Sequence, residues 1–225
     1  MPFIKLESVT KTYFIEEQKI DAVKNLSLDI KRGEFISIVG HSGSGKTTLL
    51  SMLGGIANPT SGAIIHNGVN ICSLTDESLS EHRCQKIGFM FQFSSLLQML
   101  TVKENVLVPL LFKTEGVTTD DLDRAVDLLK KVGLEDKLKA FPSQLSGGQQ
   151  RRVAIARSFI NDPELILADE PTGDLDEETE AEMMGLFDSM NKERNMTFVM
   201  VTHNSDLANR ASRRFRMTNG IIKEL

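Results

Sequence analysis

The feature that most constrains the fold is a strongly apolar segment that runs directly into a glycine-rich loop and then into a helix-forming segment. The segment "FISIVG" (Phe35 to Gly40) is apolar at nearly every position, which is typical of a strand covered on both faces. It continues into "GHSGSGKTT" (Gly40 to Thr48), and "KTTLLSML" follows with a helical pattern. A buried strand, a tight loop and a helix in this order predict an α/β fold built on a parallel sheet.

The same loop predicts a phosphate-binding site. Its spacing, G-x-x-x-x-G-K-T, places Gly40, Gly43 and Gly45 where the backbone can close around phosphate groups, with N–H groups and the helix N-terminus facing the negative charge. Lys46 is then positioned to bridge phosphate oxygens, and the hydroxyl of Thr47 to ligate Mg²⁺. The remaining residues of the predicted cradle are His41, Ser42, Ser44 and Thr48.

Two later segments are also fully apolar, "LILA" (Leu165 to Ala168) and "TFVMV" (Thr197 to Val201). Together with the strand before the loop, they predict one mostly parallel sheet whose strands come from distant parts of the chain. The region between about Phe89 and Phe159 has a helical pattern, so a helical lobe is predicted between the strands. In it, Leu122, Val126 and Leu129 are expected to share one face of a helix that ends before Gly133.

The first part of the chain has a different pattern. "FIKLESV" (Phe3 to Val9) and "NLSLDI" (Asn25 to Ile30) alternate apolar and polar residues, as half-exposed antiparallel strands do. "AIIHNGVNI" (Ala63 to Ile71) predicts a hairpin with Asn67-Gly68 in its turn. The predicted organisation is one unit: a catalytic core with an antiparallel β subdomain at about 1–88 and 163–225, and a helical subdomain at about 89–162.

Polar side chains that suit phosphate chemistry follow the buried strands. "LILADEP" ends a strand in Asp169 and Glu170, which point in different directions because they are neighbours in a strand. Asp169 is predicted to hold Mg²⁺, and Glu170 to orient and deprotonate a water molecule. His203, in "VTHN", follows another strand at the same edge and is predicted to contact the γ-phosphate. Gln92, in "GFMFQF", offers a neutral oxygen to Mg²⁺ or water.

A second glycine-rich turn opens a second helix, in "LSGGQQRRVAIARS" (Leu145 to Ser158). Such a turn also presents N–H groups to an anion. A phosphate loop wraps one side of a triphosphate, and a second turn closes the other side. If the chain's own turn lies too far from its own loop, a second copy must supply it. Two chains would then pack head-to-tail and enclose two nucleotides between Gly40–Thr48 of one and Ser146–Gln149 of the other.

Over the whole chain and in the same order, these motifs resemble those of the nucleotide-binding subunit of ABC transporters. The resemblance identifies Gly40 to Thr48 as the Walker A loop, Gln92 as the Q-loop glutamine and Leu145 to Gln149 as the LSGGQ signature. It identifies Leu165 to Asp169 as Walker B, followed by the catalytic glutamate, Glu170. The fold it implies is the P-loop NTPase of ABC type, the reaction is hydrolysis of ATP, and the cofactors are ATP and Mg²⁺.

The resemblance also implies roles for single residues. Tyr13, the only tyrosine, is similar to the aromatic residue that stacks on adenine, and His203 to the switch histidine. "GDLD" (Gly173 to Asp176) resembles the D-loop, which crosses the dimer interface and brings Asp176 to the nucleotide. The signature residues expected at the partner's nucleotide are Ser146, Gly147, Gly148 and Gln149.

Within the family, "FQFSSLLQMLTVKENVLVPLL" and "ADEPTGDLD" resemble the lipoprotein-release and macrolide-export branch, although that branch more often has Pro at position 98 and Asn at position 174. The resemblance implies an integral membrane permease docked beside Gln92, near the apolar segment Leu96 to Phe112, and a location on the cytoplasmic face of the membrane. A related cell-division type, which moves a membrane partner without transport, is the alternative.

Composition helps to separate the remaining classes. The formal net charge of −5 and the pI near 5.5 disfavour a nucleic-acid surface, so no nucleic-acid partner is expected. A P-loop small-molecule kinase would share Gly40 to Thr47 but would not account for the signature turn. A soluble ABC ATPase of DNA maintenance would share every motif, yet 225 residues leave no room for a coiled coil or a tandem cassette.

Overall fold

The computed structural model describes residues 1–16, 18–113, 116–173 and 175–225 of the chain. In this part of the chain the strands are β1 (Ile4–Ile15), β2 (Gln18–Ile30), β3 (Phe35–Val39), β4 (Ser61–His66), β5 (Val69–Asn70), β6 (Ile87–Met90), β7 (Leu165–Asp169), β8 (Thr197–Thr202), β9 (Arg213–Thr218) and β10 (Ile221–Glu224). The helices are α1 (Lys46–Leu53), α2 (Asp76–Lys86), α3 (Val102–Leu107), α4 (Thr119–Lys131), α5 (Gly147–Ser158), α6 (Glu177–Arg194) and α7 (Ser205–Ala208). Short 3₁₀ turns occupy Ile71–Ser73, Val108–Phe112 and Pro142–Gln144.

Within the described residues, the strands form two sheets. The larger has the order β10-β9-β3-β8-β7-β6, and all its pairings are parallel except that of β10 with β9. The smaller is antiparallel, with the order β2-β1-β4-β5. Because the central strands of the larger sheet are parallel, their carboxyl ends meet at one edge, where the candidate polar residues lie.

The central strands β3, β7 and β8 of the larger sheet are covered on both faces, which explains why they are apolar at nearly every position. In β7, Ile166 and Ala168 point to a core formed with helices α3 to α6, and Leu165 and Leu167 point to a core formed with α1 and the antiparallel sheet. The strand β8 divides its side chains in the same way. The molecule therefore has three layers, and the sheet that carries the site residues is the middle one.

Local sequence signals account for the ends of several elements. The side chains of Thr118 and Asp121 form a capping box at the start of α4, and Gly133 follows the helix with φ of 66°. Asn67 and Gly68 both have positive φ between β4 and β5, as a type I′ turn requires. These signals are local, and each predicted feature is found where the sequence placed it.

Other elements differ from the sequence-based prediction. β1 and β2 continue far beyond Phe3 to Val9 and Asn25 to Ile30, because bulges in β1 between Leu6 and Thr12 interrupt the alternation of apolar and polar residues. The strands β6, β9 and β10 were not predicted. In α4 the predicted face was only partly right: Ala125, Leu128 and Leu129 are buried, whereas Leu122 and Val126 are half-buried.

Between β6 and β7 the chain contributes helices α3, α4 and α5, which pack on one another. We call residues 89–162 the helical segment. It contains Gln92 near its start and also the signature turn, and it connects two adjacent strands of the parallel sheet. No helix in the described ranges is both long and apolar enough to cross a membrane.

Candidate functional site

The loop between β3 and α1 is pressed against two other strands, which is why it needs glycine at its ends. A Cβ atom at Gly40 would overlap the carbonyl oxygen of Met217 in β9, and one at Gly45 would overlap that of Ala22 in β2. Gly45 also has φ of 106°, which side chains rarely adopt. By contrast, Gly43, with φ of 76°, has open space beside it. The loop is thus supported from outside and open on its inner side.

The helix that follows this loop has a free N-terminus. Its N-cap residue is Gly45, which makes no side-chain capping bond, so the first N–H groups of α1 face the loop interior. The Nζ atom of Lys46 donates to the carbonyl oxygens of Gly40 and His41, at 2.8 and 3.0 Å. The hydroxyl of Ser44 is buried and has no hydrogen-bond partner among the described residues. Helix N–H groups and a lysine held over the loop suit an anion.

Asp169 and Thr47 meet at the carboxyl edge of the sheet. The hydroxyl of Thr47 donates to Oδ2 of Asp169 at 2.8 Å, across a long separation in the chain. Burial raises the pKa of Asp169, and the nearby charge of Glu170 acts in the same direction, while the Thr47 hydrogen bond and the charge of Lys46 oppose this rise. A buried carboxylate with a raised pKa gains from a cation beside it.

These residues fit a bound Mg²⁺. Thr47, Asp169 and Gln92 line one cleft, and they supply hydroxyl, carboxylate and amide oxygens, the donors that Mg²⁺ prefers. The part of the chain that the structure describes holds no cluster of three or more His, Cys, Asp or Glu side chains suited to a metal. A magnesium site here would therefore need phosphate oxygens or water as further ligands, which is how proteins commonly bind this ion beside nucleotides.

Glu170 is turned away from Asp169, toward β8. It has φ of 47°, and its carboxylate accepts hydrogen bonds from the hydroxyl of Thr202 at 2.9 Å and from the backbone N–H of His203 at 2.8 Å. The Nδ1 atom of His203 lies 2.8 Å from the same carboxylate, and the imidazole is 78% exposed. The adjacent acids thus have separate surroundings, as predicted from their positions at a strand end.

Most of the predicted site residues surround a single cleft of about 540 Å³. The predicted residues that line it are Tyr13, Gly40, Ser42, Gly43, Gly45, Lys46, Thr47, Thr48, Gln92, Asp169, Glu170 and His203. Tyr13 lies in β1, is 40% exposed, and has the Nζ atom of Lys11 5.2 Å from its ring centroid. The carbonyl oxygen of His41 accepts a hydrogen bond from Lys46, and Ser44 is a buried residue of the same loop.

The signature turn lies elsewhere. Among the described residues that line the cleft, none belongs to Ser146–Gln149. Ser146 is the N-cap of α5, and its hydroxyl accepts from the N–H of Gln149 at 3.2 Å while the Gln149 side chain accepts from the N–H of Ser146 at 3.0 Å. Gly147 and Gly148 are the first helical residues, and their N–H groups have no acceptor within the helix. The turn therefore has two backbone donors that lie outside the cleft formed by the described residues.

The predicted D-loop is only partly described. Asp176 is the N-cap of α6, and its carboxylate accepts from the N–H of Thr179 at 2.9 Å. This hydrogen bond is the main reason that the pKa of Asp176 is lowered. Asp176 does not line the cleft formed by the described residues, and Asp174 lies outside them.

Sequence reasoning missed Arg151, which lies in α5 and also lines the cleft. Its side chain is 2% exposed and donates to backbone carbonyl oxygens of Phe91, Gln92, Glu170 and Pro171. The only sequence signal was a pair of adjacent arginines after the signature turn, and the pair did not indicate which of them is buried. Ala22 was also missed, whereas Gly173 was predicted only as the start of the D-loop and also lines the cleft.

A second, more apolar groove of about 500 Å³ lies beside Gln92, between the helical segment and α2. Its lining includes Ile56, Arg83, Phe89, Phe91, Val108, Pro109, Phe112 and Arg157. Phe112 is 76% exposed, and Leu97 and Met99 nearby are 47% and 84% exposed. By contrast, Leu96, Val102, Val106 and Leu110 from the same predicted apolar segment are buried. Part of that segment therefore packs inside, and other residues of it, including Phe112, face solvent.

The sequence of this chain is similar to those of known proteins. The family model described as "ABC transporter" matches residues 23–173. The chain is 44% identical over 223 residues to the uncharacterized ABC transporter ATP-binding protein MJ0796 of Methanocaldococcus jannaschii, with 98% of this chain and 95% of that protein covered. It is 42% identical over 219 residues to the lipoprotein-releasing system ATP-binding protein LolD of Cytophaga hutchinsonii, with 97% and 98% covered.

A longer relative and a solved structure are also similar to this chain. The chain is 41% identical over 222 residues to the macrolide export ATP-binding/permease protein MacB of Rhodopirellula baltica, which covers 98% of this chain but only 32% of MacB. The chain thus spans about a third of the length of that relative. A dimeric, post-hydrolysis structure of MJ0796 bound to ADP and Pi matches with a TM-score of 0.93 at 42% identity, over 99% of this chain and 98% of that one.

Proposed function

Because the chain belongs to the ABC transporter family as an ATP-binding subunit that hydrolyses ATP, we propose that two copies close head-to-tail around two ATP–Mg²⁺ and drive an integral membrane permease. The cofactors of this ATP-binding subunit are ATP and Mg²⁺. The single observation that carries the proposal is the separation of its two anion-binding turns. The phosphate loop lines the cleft with Asp169 and Glu170, whereas the signature turn of the same chain does not.

In this proposal the phosphate loop binds the nucleotide first. The N–H groups of the loop and of the α1 N-terminus contact phosphate oxygens, and Lys46 moves from the carbonyls of Gly40 and His41 to the β- and γ-phosphates. Tyr13 stacks on the base at the other end of the cleft. The loop needs no rearrangement of its backbone, because its supporting contacts with Ala22 and Met217 come from outside.

Thr47, Asp169 and Gln92 would hold Mg²⁺. The ion supplies neutralisation of the charge that develops on the transferred phosphoryl group. The hydroxyl of Thr47 would supply a lone pair to the ion, and its hydrogen can still be donated to Asp169, whose buried carboxylate would lie beside the ion. The domain division is proposed as predicted, with a core at about 1–88 and 163–225 and a helical subdomain at about 89–162.

Glu170 and His203 are proposed to act on the attacking water and the γ-phosphate. In this structure, Thr202 and His203 form hydrogen bonds with the carboxylate of Glu170. When the imidazole of His203 turns to the γ-phosphate, Oε1 of Glu170 loses one of its two hydrogen bonds and can accept a proton from water, while it keeps the bond from the backbone N–H of His203. The side chain of His203 is largely exposed, so it can make this turn without disturbing the core.

The partner's signature turn completes the site in the proposed dimer. The N–H groups of Gly147 and Gly148 in one copy face the γ-phosphate bound to the other copy, together with the side chains of Ser146 and Gln149. Asp176 lies near the interface in the D-loop. ATP favours the closed dimer because its γ-phosphate contacts both copies, and hydrolysis removes this bridge.

The apolar groove beside Gln92 is the proposed docking site of the permease. It contains exposed Phe112 and half-exposed Phe91, whose neighbour Gln92 lines the nucleotide cleft. The names of the relatives support a permease of the lipoprotein-release or macrolide-export type, and the subunit would then lie on the cytoplasmic face of the membrane. A cell-division type of membrane motor, which uses the same dimer without transport, is the alternative.

The proposal is tested with Glu170→Gln, which keeps the shape of the side chain but removes the base. Hydrolysis should fall by about 10²- to 10⁴-fold, whereas ATP binding is retained, so the variant should elute as a dimer in ATP and as a monomer in ADP. Glu81→Gln, on an exposed part of α2, is the matched control and should behave as the parent. A Glu170→Gln variant that binds ATP but stays monomeric would count against the sandwich.

The permease part is tested by pull-down from detergent-solubilised membranes with tagged Glu170→Gln in ATP and Mg²⁺. A polytopic membrane protein should be recovered in stoichiometric amount, and Phe112→Asp in the same background should lose it while still forming the ATP dimer. Recovery of the same partner by both forms would show that the groove is not the docking site. Recovery of only soluble proteins would move the function toward a soluble ABC ATPase.

A further inference from the structure

Arg151 connects three parts of the molecule that act in the reaction. It lies in α5, the helix that opens with the signature turn. Its Nε atom donates to the carbonyl oxygen of Pro171 at 2.8 Å, and one terminal nitrogen donates to that of Gln92 at 2.7 Å and to that of Phe91. The other terminal nitrogen donates to the carbonyl oxygen of Glu170. One side chain thus contacts the strand-end loop after β7 and the start of the helical segment.

The chemistry of these contacts makes their geometry demanding. A guanidinium that is 2% exposed is costly to bury unless its donors are satisfied, and its planar fork satisfies them only where the carbonyl oxygens lie in matching positions. The four carbonyl acceptors named above, which belong to described residues, are main-chain atoms. Arg151 therefore fixes the backbone of Gln92 and of Glu170, rather than their side chains, relative to α5.

The arginine also adds charge at the cleft. It lines the cleft with Asp169 and Glu170. The guanidinium therefore places a positive charge in the cleft that holds both carboxylates.

We propose that Arg151 is a positioning residue for ATP hydrolysis, which ties the peptide units of Gln92 and Glu170 to the helix that carries the signature turn. When α5 moves to meet the partner's nucleotide, Arg151 transmits the movement to the Glu170 and Gln92 of its own cleft. Hydrolysis in one site then depends on engagement of the other site. The inference rests on the proposed head-to-tail dimer.

The test compares Arg151→Gln and Arg151→Lys with the parent and with Arg152→Gln. Arg152 is the adjacent arginine of α5, but its guanidinium donates to the carbonyl oxygen of Val132, inside the helical segment. Lys keeps the charge of Arg151 but cannot span the four carbonyls, since its ammonium is a point donor. For each variant we would measure kcat, KM and equilibrium ATP binding, and thermal unfolding with and without ATP.

We expect Arg151→Gln to lower kcat by about 10- to 10²-fold, with ATP affinity within about twofold of the parent. The variant still binds ATP, but Gln92 and Glu170 are no longer held in the positions that hydrolysis requires. Arg151→Lys should give an intermediate kcat, and Arg152→Gln a kcat close to that of the parent. In the Glu170→Gln background, Arg151→Gln should cause little further loss in single-turnover hydrolysis, since it acts through Glu170.

Three results would overturn the inference: an unchanged kcat in Arg151→Gln, an equal loss in Arg152→Gln, or a parallel loss of ATP affinity and thermal stability in both Arg151 variants. The last result would mean a purely structural role. If Arg151→Gln does not fold, the intermediate kcat of Arg151→Lys decides. Dimerisation of Glu170→Gln is scored separately, so failure of the dimer and failure of the positioning role give different results.

Discussion

The two glycine-rich turns look alike in the sequence but differ in structure. The phosphate loop is held from outside by β2 and β9, and the helix that it opens has a free N-terminus and a lysine poised above it. The signature turn is exposed, and its Ser146 and Gln149 cap each other. One turn is thus a site prepared for a ligand within the chain. The other is a stable helix start whose remaining donors, at Gly147 and Gly148, do not line that site.

This difference explains why one chain carries both turns. A triphosphate bound by the phosphate loop is enclosed by strand ends on one side, and the chain offers no second glycine turn on the other side of the described cleft. A second copy can supply it in a two-fold arrangement, in which each chain gives one turn of each kind to each site. If the two turns have separate roles, changes at the phosphate site should weaken ATP binding, and changes at the signature turn should weaken only the dimer.

The largest effect is expected at the phosphate loop. Lys46→Ala removes the charged donor and should weaken ATP binding by at least about 10²-fold, the loss expected for charge-assisted hydrogen bonds to phosphate. Equilibrium binding of a fluorescent ATP analogue measures this directly. Lys130→Ala, an exposed change in the last turn of α4, is the control and should bind as the parent does. An unchanged affinity of Lys46→Ala would remove the basis for the phosphate site.

A smaller effect is expected at Asp169, and its sign should differ between the nucleotide-free protein and the protein with Mg²⁺–ATP. The pKa of Asp169 is raised mainly by burial, so its carboxyl favours folding below its unfolded pKa and loses this contribution as the pH rises through the folded pKa. Asp169→Asn should therefore leave the nucleotide-free protein at pH 7 at least as stable as the parent. It should also lose most of the stabilisation by Mg²⁺–ATP, which is about 2.7 kcal/mol at 100 times Kd.

Thermal unfolding with and without Mg²⁺–ATP checks both signs in the Asp169→Asn variant. The difference in melting temperature between the nucleotide-free variant and parent should shrink below about pH 4, where the carboxyl is protonated in both states. A variant that is less stable than the parent at pH 7, or that keeps the full effect of Mg²⁺, would contradict this account of the carboxylate.

The smallest effect on stability is expected at the signature turn. Ser146→Ala removes the capping box of α5 and should lower the free energy of unfolding by about 1 kcal/mol, with ATP binding to the single chain unchanged. Thr118→Ala removes the equivalent capping box of α4 and is the matched control. In the Glu170→Gln background only Ser146→Ala should weaken the ATP-dependent dimer, as measured by analytical ultracentrifugation. Equal weakening by both would mean that helix stability alone is responsible.

The sequence predicted the parts of the site that depend on local pattern. The phosphate loop, Asp169, Glu170 and His203 follow buried apolar strands, and the parallel sheet brings these strand ends to one edge. The sequence predicted Gln92 from its amide oxygen and its place in "GFMFQF", and from the resemblance to the Q-loop. The structure places Gln92 at the same cleft. Their roles in the reaction remain predictions that the variants test.

The rest depends on contacts between distant residues. Arg151 and Arg152 are adjacent and identical in type, and only the packing of α5 against the loops that follow β6 and β7 determines that Arg151 is buried. The full length of β1 was hidden by its bulges, so the strand that carries Tyr13 was predicted too short. The short strand β6 leads into Gln92, and it was missed because four residues give too weak a pattern.

The most direct test of the two-turn account is cross-linking between chains. In the Glu170→Gln background with Cys72→Ala and Cys84→Ala, Ser42→Cys marks the phosphate loop and Gly147→Cys the signature turn, where an added Cβ meets no atom within 4 Å. With a short bis-maleimide, ATP and Mg²⁺ should give a covalent dimer only when both cysteines are present, and ADP should give none. A cross-link within one chain, or equal dimer from either single cysteine, would contradict the head-to-tail arrangement.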